Sequence, residues 1–106
     1  MLTDGETLLA IEIEARQTHP DTNVGKYWLL HKEHRQYQRI ILFHVFTPLF
    51  DSYGWRKKLA EFYAVQMKGE VPIEYILKDL RESPDYSVAL RELKREVAAK
   101  IETAFQ

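Results

Sequence analysis

The chain of 106 residues contains no cysteine. This absence excludes a disulfide framework, a cysteine-ligated zinc site and a cysteine nucleophile. Its longest apolar runs are too short to span a bilayer. Met1 leads into Thr3, Asp4 and Glu6, and not into the basic and apolar regions of a signal peptide. We therefore expect a cytoplasmic protein without a membrane segment.

Several common functional signals are also missing. The sequence has no glycine-rich phosphate loop, no serine nucleophile elbow and no His-Glu-x-x-His zinc motif. The net charge of −1 provides no global basic field that would by itself indicate a nucleic-acid partner. With 45% apolar and 29% charged residues, the chain has the composition of one globular domain with a modest core, and we assign residues 1–106 to a single domain.

The stretch that carries most information is an alternating segment at residues 8–16. Alternation at period two predicts a strand with two unlike faces, and it places Glu12, Glu14 and Arg16 on one of them. The two carboxylates then lie roughly 6.5 Å apart along the strand. Their repulsion is about 2.5 kcal/mol at an effective dielectric constant near 20 and about 0.6 kcal/mol in water. If this face is partly buried, a divalent cation or Arg16 must offset the repulsion; if it is solvated, the pair has no special meaning.

The remaining elements follow from helical and alternating periodicity. The pattern predicts a helix over 24–35 and a buried strand over 39–47 ended by Pro48. It predicts a second helix over 53–68, capped by Asp51 or Ser52, that buries Trp55, Leu59, Phe62 and Tyr63, with Val65 or Met67 as open alternatives. Ser83-Pro84-Asp85 opens a final helix, with Pro84 suited to the first helical position, and its apolar stripe is Ala89, Leu90, Leu93, Val97, Ile101, Ala104 and Phe105. Residues 71–77 alternate as an edge strand, although a helix over 72–81 is the competing interpretation. Strand, helix and strand in succession form a βαβ unit, so we expect an α/β domain with a mixed central sheet flanked by helices.

The N-terminal turn leaves two interpretations open. Asp4-Gly5 is a hairpin signal, but only three residues precede it. Either a strand or helix present in relatives is missing from the N-terminus of this domain, or Asp4-Gly5 is merely a loop.

The acidic strand and its surroundings resemble the PD-(D/E)XK nuclease superfamily, the restriction-endonuclease-like fold. The resemblance covers roughly residues 4–65 and rests on Glu12-Ile13-Glu14 after an apolar run, on the segment THPDTNVGKYW at residues 18–28, and on the order of elements. It implies a restriction-endonuclease-like core and a nuclease-like domain that hydrolyses DNA phosphodiester bonds with Mg²⁺ or Mn²⁺.

The same resemblance implies roles for individual residues. Asp4, Glu12 and Glu14 would be metal ligands, with Glu12 and Glu14 also catalytic. Glu14 occupies the position at which most members have lysine, and Lys26, from the following helix, would assist the attacking water or the scissile phosphate. If Asp4 is only a turn residue, the aspartate that completes the metal site is absent.

DNA contacts are expected from Arg16, His19 and Lys26, with further basic residues along the backbone path. Each has a simpler interpretation: an Arg16–Glu14 pair, a structural loop histidine and a solvated basic face. His44 shares a strand face with apolar residues and is best interpreted as a hydrogen-bonded core histidine. The alternatives to a nuclease are a catalytically inactive nucleic-acid-binding module of the same fold and a protein-interaction module, as a homodimer or in a larger complex, that uses its aromatic helix faces (Tyr27, Trp28, Trp55 and Phe62) or its final helix.

Overall fold

The structure is a computed structural model that describes residues 1–16, 19–34, 36–50 and 55–105. Within these ranges the chain forms an α/β domain with one mixed sheet and three α-helices. The elements are β1 (Leu2–Thr3), β2 (Thr7–Arg16), α1 (Pro20–His34), β3 (Arg39–Phe50), α2 (Arg56–Met67), β4 (Ile73–Asp79), a 3-10 turn (Leu80–Glu82) and α3 (Tyr86–Ala104).

The sheet has the strand order β1-β2-β3-β4. β1 is antiparallel to β2, whereas β2, β3 and β4 run parallel, with Glu12 opposite His44 and Leu42 opposite Tyr75. The predicted βαβ unit is confirmed, and its two strands are direct neighbours. The strand interpretation of the segment before the final helix is also confirmed, because β4 pairs with β3 at the edge of the sheet.

Helices cover both faces of the sheet and divide the core in two. On one face α1 and α2 pack over Leu8 and Ala10 of β2 and over the matching residues of β3. On the other face α3 packs over Leu9 and the alternate residues of β3. The predicted apolar stripe of the final helix is confirmed, since the residues that contact this second core are Ala89, Leu90, Leu93, Val97, Ile101, Ala104 and Phe105.

Pro48 does not end the third strand, contrary to the prediction. β3 continues to Phe50, and Phe50 still pairs with Arg16. The pairing with β4 has already ended at Phe46 opposite Asp79. A proline is therefore tolerated beyond this point, because no strand on that side requires its missing N–H group.

The stripe predicted for α2 is confirmed at Met67 and at Tyr63, which packs against the core, and is wrong at Trp55, Phe62 and Val65. Its buried residues are Ala60, Ala64 and Met67, whereas Trp55, Phe62 and Val65 are more than half exposed. Small alanine side chains allow the helix to approach the sheet and α1 closely, and the large residues then point outward. The predicted caps Asp51 and Ser52, and the predicted first residue at position 53, lie outside the described residues.

The final helix begins later than the prediction. Asp85 is the N-cap of α3, and its carboxylate accepts hydrogen bonds from the backbone N–H groups of Ser87 and Val88. Pro84 therefore precedes the cap and is not the first helical residue. An aspartate that satisfies two free N–H groups is the stronger helix-start signal at this point.

The described helices include none that is both long and apolar enough to cross a membrane.

Candidate functional site

The acidic residues of β2 lie on the face that α1 covers. Leu8 and Ala10 belong to the core beneath α1 and α2, and strand alternation carries Glu12 and Glu14 onto the same face. Because β2, β3 and β4 are parallel, this polar segment lies toward the carboxyl ends of the strands. That edge is where open α/β sheets bind their ligands.

Glu12 is held by two consecutive residues of α1. Lys26 Nζ lies 2.6 Å from Glu12 Oε1, and the Tyr27 hydroxyl donates a hydrogen bond of 2.8 Å to the same oxygen. The side chain of Lys26 is 46% exposed and that of Glu12 is 18% exposed. Burial raises the pKa of Tyr27, and the Glu12 carboxylate raises it further. Tyr27 therefore stays protonated and continues to donate to Glu12.

Glu14 is fully buried and is the centre of a second group of hydrogen bonds. Asn23 Nδ2 donates to Glu14 Oε1 at 2.6 Å, and His44 Nε2 lies 2.9 Å from the same oxygen. The other ring nitrogen of His44 lies 2.6 Å from the Tyr75 hydroxyl. Burial is the main reason why the pKa of Tyr75 is raised, and the charges of Glu61 and Glu14 add to it. The interpretation of His44 as a hydrogen-bonded core histidine is confirmed.

Asp4 is not part of this group. Its carboxylate accepts hydrogen bonds from the backbone N–H groups of Glu6 and Thr7 in the turn between β1 and β2. The hydrogen bond from Thr7 is the main reason why the pKa of Asp4 is lowered, and the one from Glu6 lowers it further. Glu12 is five residues beyond Thr7, which is roughly 16 Å along the strand. The structure therefore brings Glu12, Glu14 and Lys26 together and leaves Asp4 at the opposite end of β2.

The arrangement does not fit the Mg²⁺ site that the nuclease resemblance implies. Mg²⁺ prefers octahedral oxygen ligation and binds through one or two carboxylates, waters and substrate phosphates. Within the ranges that the structure describes, no three His, Asp or Glu side chains are grouped so that they could hold an ion. Both carboxylates of β2 already accept hydrogen bonds from protein donors, which would compete with a cation. The metal-binding and catalytic roles of Asp4, Glu12 and Glu14 stay predictions.

Basic side chains gather at the carboxyl ends of the strands, a surface that we call the carboxyl edge (Arg16, His19, Arg56, Lys57 and Arg81). Arg56 Nη1 lies 2.8 Å from His19 Nδ1 and 3.4 Å from Asp21. The carboxyl edge also contains Asp79, which binds Arg81 at 2.7 Å and lies 3.9 Å from Lys57. The carboxyl edge is thus rich in cations, and some of them are oriented by carboxylates.

Sequence reasoning missed part of this network. The sequence patterns place Tyr27 on an aromatic helix face and Tyr75 in an alternating strand, and they predict no hydrogen bond in this network for Asn23, Tyr27 or Tyr75. The available signal was alternation on neighbouring strands, because Glu14, His44 and Tyr75 all lie on the face that α1 and α2 cover. Their meeting also depends on the register between strands, which the local sequence does not specify.

Comparisons of this chain with family models, curated proteins and solved structures return no match, so no family is assigned to it.

Proposed function

We propose that this domain binds the phosphate backbone of DNA at its carboxyl edge without hydrolysing it, as a non-catalytic module of restriction-endonuclease-like architecture. The observation that carries the proposal is that basic side chains from separate elements lie at one edge of the sheet. Arg16 ends β2, His19 precedes α1 and Arg56 begins α2, and all three lie at the carboxyl ends of the parallel strands.

The helix starts at this edge favour an anionic ligand. Both α1 and α2 begin at the carboxyl ends of the strands that precede them, so their N-terminal N–H groups and positive dipole ends are directed there. The first turn of α2 contains no acidic residue, and Trp55 supplies no side-chain cap. It contains three successive cations, Arg56, Lys57 and Lys58, which the helix N-terminus disfavours. Asp21 lies 3.4 Å from Arg56 and Asp79 lies 3.9 Å from Lys57, so protein carboxylates offset part of this repulsion and a bound anion would offset more.

The contacts that Glu12 and Glu14 already make within the protein favour DNA binding over DNA hydrolysis. Glu12 is neutralised by Lys26, and Glu14 is buried among hydrogen-bond donors. The competing nuclease function is supported by one contact, because Lys26 reaches from the following helix to Glu12, as the resemblance implies. That contact is equally consistent with a structural ion pair.

The binding proposal is tested by fluorescence anisotropy with a labelled DNA duplex over a series of salt concentrations. We expect affinity that falls steeply with salt and is unchanged by a metal chelator. Arg56→Ala should weaken binding and reduce the slope of log K against log salt by about 1. Arg95→Ala is the matched control, because Arg95 is an exposed arginine of α3 on the other face of the domain. Equal effects of the two substitutions, or no binding by the wild type, would contradict the proposal.

The absence of hydrolysis is tested separately with supercoiled plasmid and millimolar Mg²⁺ or Mn²⁺. We expect no cleavage by the wild-type protein or by Glu12→Gln. Metal-dependent cleavage by the wild type that Glu12→Gln abolishes would refute the non-catalytic assignment and establish the nuclease alternative. Cleavage that Glu12→Gln leaves unchanged and that disappears on repurification would come from a contaminating nuclease and would leave the expected result in place. Equal cleavage that persists after repurification would refute the non-catalytic assignment and exclude Glu12 from the reaction.

A further inference from the structure

One of the two tryptophans of this chain is exposed at the carboxyl edge. Trp55 directly precedes α2, and 65% of its surface is exposed. Trp28, by contrast, packs against the core beneath the helices and donates a hydrogen bond from Nε1 to Glu70. Within the described ranges the Trp55 side chain forms no hydrogen bond and no ring contact. The large apolar surface of its ring is therefore available to a ligand.

The position of Trp55 is fixed by its backbone and not by its side chain. Its carbonyl oxygen accepts a hydrogen bond of 2.8 Å from the Leu59 N–H group, which closes the first turn of α2. The side chain provides no cap, although this is the position that Ser, Thr, Asp or Asn would stabilise. A residue that breaks a local rule without a structural gain is expected at a functional site.

Three cations follow Trp55 directly, namely Arg56, Lys57 and Lys58. The first two lie near carboxylates of the protein, whereas Lys58 is exposed and forms no ion pair with any described residue. Residues three apart on a helix are neighbours, so Lys58 lies beside Trp55. A flat aromatic face next to an unpaired cation fits the two parts of one nucleotide, its base and its phosphate.

We propose that the carboxyl edge binds single-stranded DNA more tightly than duplex DNA at physiological salt, with an unpaired base stacked on Trp55 and its phosphate on Lys58. This inference rests on the proposed binding of the DNA backbone at the same edge. In a duplex the faces of the internal bases are covered by neighbouring bases, so only phosphates reach the protein. An unpaired base offers its face to an aromatic side chain whatever its sequence.

An anionic membrane surface is the other partner that suits a tryptophan among cations. A helix that lies on a membrane presents an apolar face along much of its length. α2 meets the carboxyl edge with its first turn, in which Trp55 is the one apolar residue beside three cations. A single ring suits the face of one base better than it suits a lipid surface, so DNA is the favoured occupant and vesicles serve as a competing probe.

Fluorescence anisotropy with three probes of equal length tests the inference. The probes are a labelled oligodeoxythymidine, the same strand with abasic sites in place of its bases, and a duplex. We expect the wild type to bind the thymidine strand about 5- to 150-fold more tightly than the abasic strand, which is the range that one stacked base provides. Trp55→Ala should remove this difference and leave the affinities for the abasic strand and the duplex unchanged.

Phe62→Ala is the matched control, because Phe62 is a 55% exposed aromatic residue of the same helix, roughly 10 Å along α2 from Trp55. It should leave all three affinities unchanged. Trp55→Phe should retain part of the affinity for the thymidine strand, since phenylalanine still stacks. Binding of that strand should also quench tryptophan fluorescence in the wild type but not in Trp55→Phe, in which Trp28 is the remaining tryptophan. Circular dichroism checks that the variants fold.

The outcomes separate this inference from the function on which it rests. A wild type that binds none of the three probes would refute both. Equal binding of the thymidine and abasic strands, or equal losses from Trp55→Ala and Phe62→Ala, would overturn the stacking inference and leave backbone binding in place. Phosphatidylserine vesicles that bind the wild type but not Trp55→Ala, without any difference between the thymidine and abasic strands, would assign Trp55 to a membrane surface and overturn the inference.

Discussion

His44→Leu is the substitution that tests the buried polar network most directly. Glu14 and His44 are both fully buried, and their contact joins β2 to β3 at 2.9 Å. Leucine removes the donor from Glu14 and the partner from the Tyr75 hydroxyl. Leaving a buried polar group without its hydrogen-bond partner costs about 1–3 kcal/mol, and more when the group is charged. Two groups, the Glu14 carboxylate and the Tyr75 hydroxyl, lose a partner here while Asn23 still donates to Glu14, so we expect a loss of about 3 kcal/mol.

Urea denaturation followed by the fluorescence of Trp28 and Trp55 measures this loss. For a domain of this size the dependence of the free energy of unfolding on urea is about 1.5 kcal/mol per M, so the midpoint should fall by about 2 M. Tyr75→Phe is the control, because it removes one hydroxyl and leaves the Glu14–His44 contact intact. Its expected cost is about 1 kcal/mol.

A double-mutant cycle measures the interaction energy between Glu14 and His44 apart from their contacts with other residues. Glu14→Leu combined with His44→Leu removes both polar groups, so the double variant should be more stable than the sum of the single losses predicts. We expect a coupling energy of at least about 2 kcal/mol. Coupling below about 0.5 kcal/mol, together with a loss for His44→Leu no larger than that for Tyr75→Phe, would refute the reasoning.

Two further predictions concern stability. Gly25→Ala should raise the free energy of unfolding by about 0.5–1 kcal/mol in the same urea assay, because alanine favours the helix and its Cβ would lie at an ordinary 3.6 Å from the Tyr63 ring; a loss would show that this approach is too close. Arg81 holds the pKa of the Asp79 carboxyl below its ordinary value, chiefly through their hydrogen bond. The stability that Arg81→Ala removes should therefore be constant from about pH 5 to 8 and shrink as the pH falls below about 4 and through the lowered pKa of Asp79. If the wild type and Arg81→Ala differed in free energy of unfolding by the same amount at pH 3 and pH 7, the Arg81–Asp79 interaction would not be the source of that stability.

The order and type of the main elements could be predicted because each depends on local periodicity. The alternation in 8–16 predicts β2 almost to the residue, and the stripe of the final helix, with Leu93 at its centre, is the one that packs on the sheet. Element ends were less accurate. Pro48 is a strand terminator by local rules, but it lies where the neighbouring strand has already ended.

The outward aromatic residues of α2 could not be predicted from its own sequence. Trp55, Phe62 and Val65 compete with Ala60 and Ala64 for the core-facing side, and hydrophobicity alone favours the larger residues. Ala60 and Ala64 face the core because α2 packs against α1, and two helices on one face of a narrow sheet must approach each other closely.

Glu12 and Glu14 can be placed on one strand face, and a lysine early in the following helix, from local periodicity alone, because these placements depend on periods of two and 3.6 residues. The contacts of those residues depend on how the elements pack. The parallel register brings His44 to Glu14, the crossover of α1 brings Lys26 and Tyr27 to Glu12, and the length of β2 separates Asp4 from both. Such contacts join residues far apart in the chain, so they are specified by the packing of whole elements and not by any local pattern.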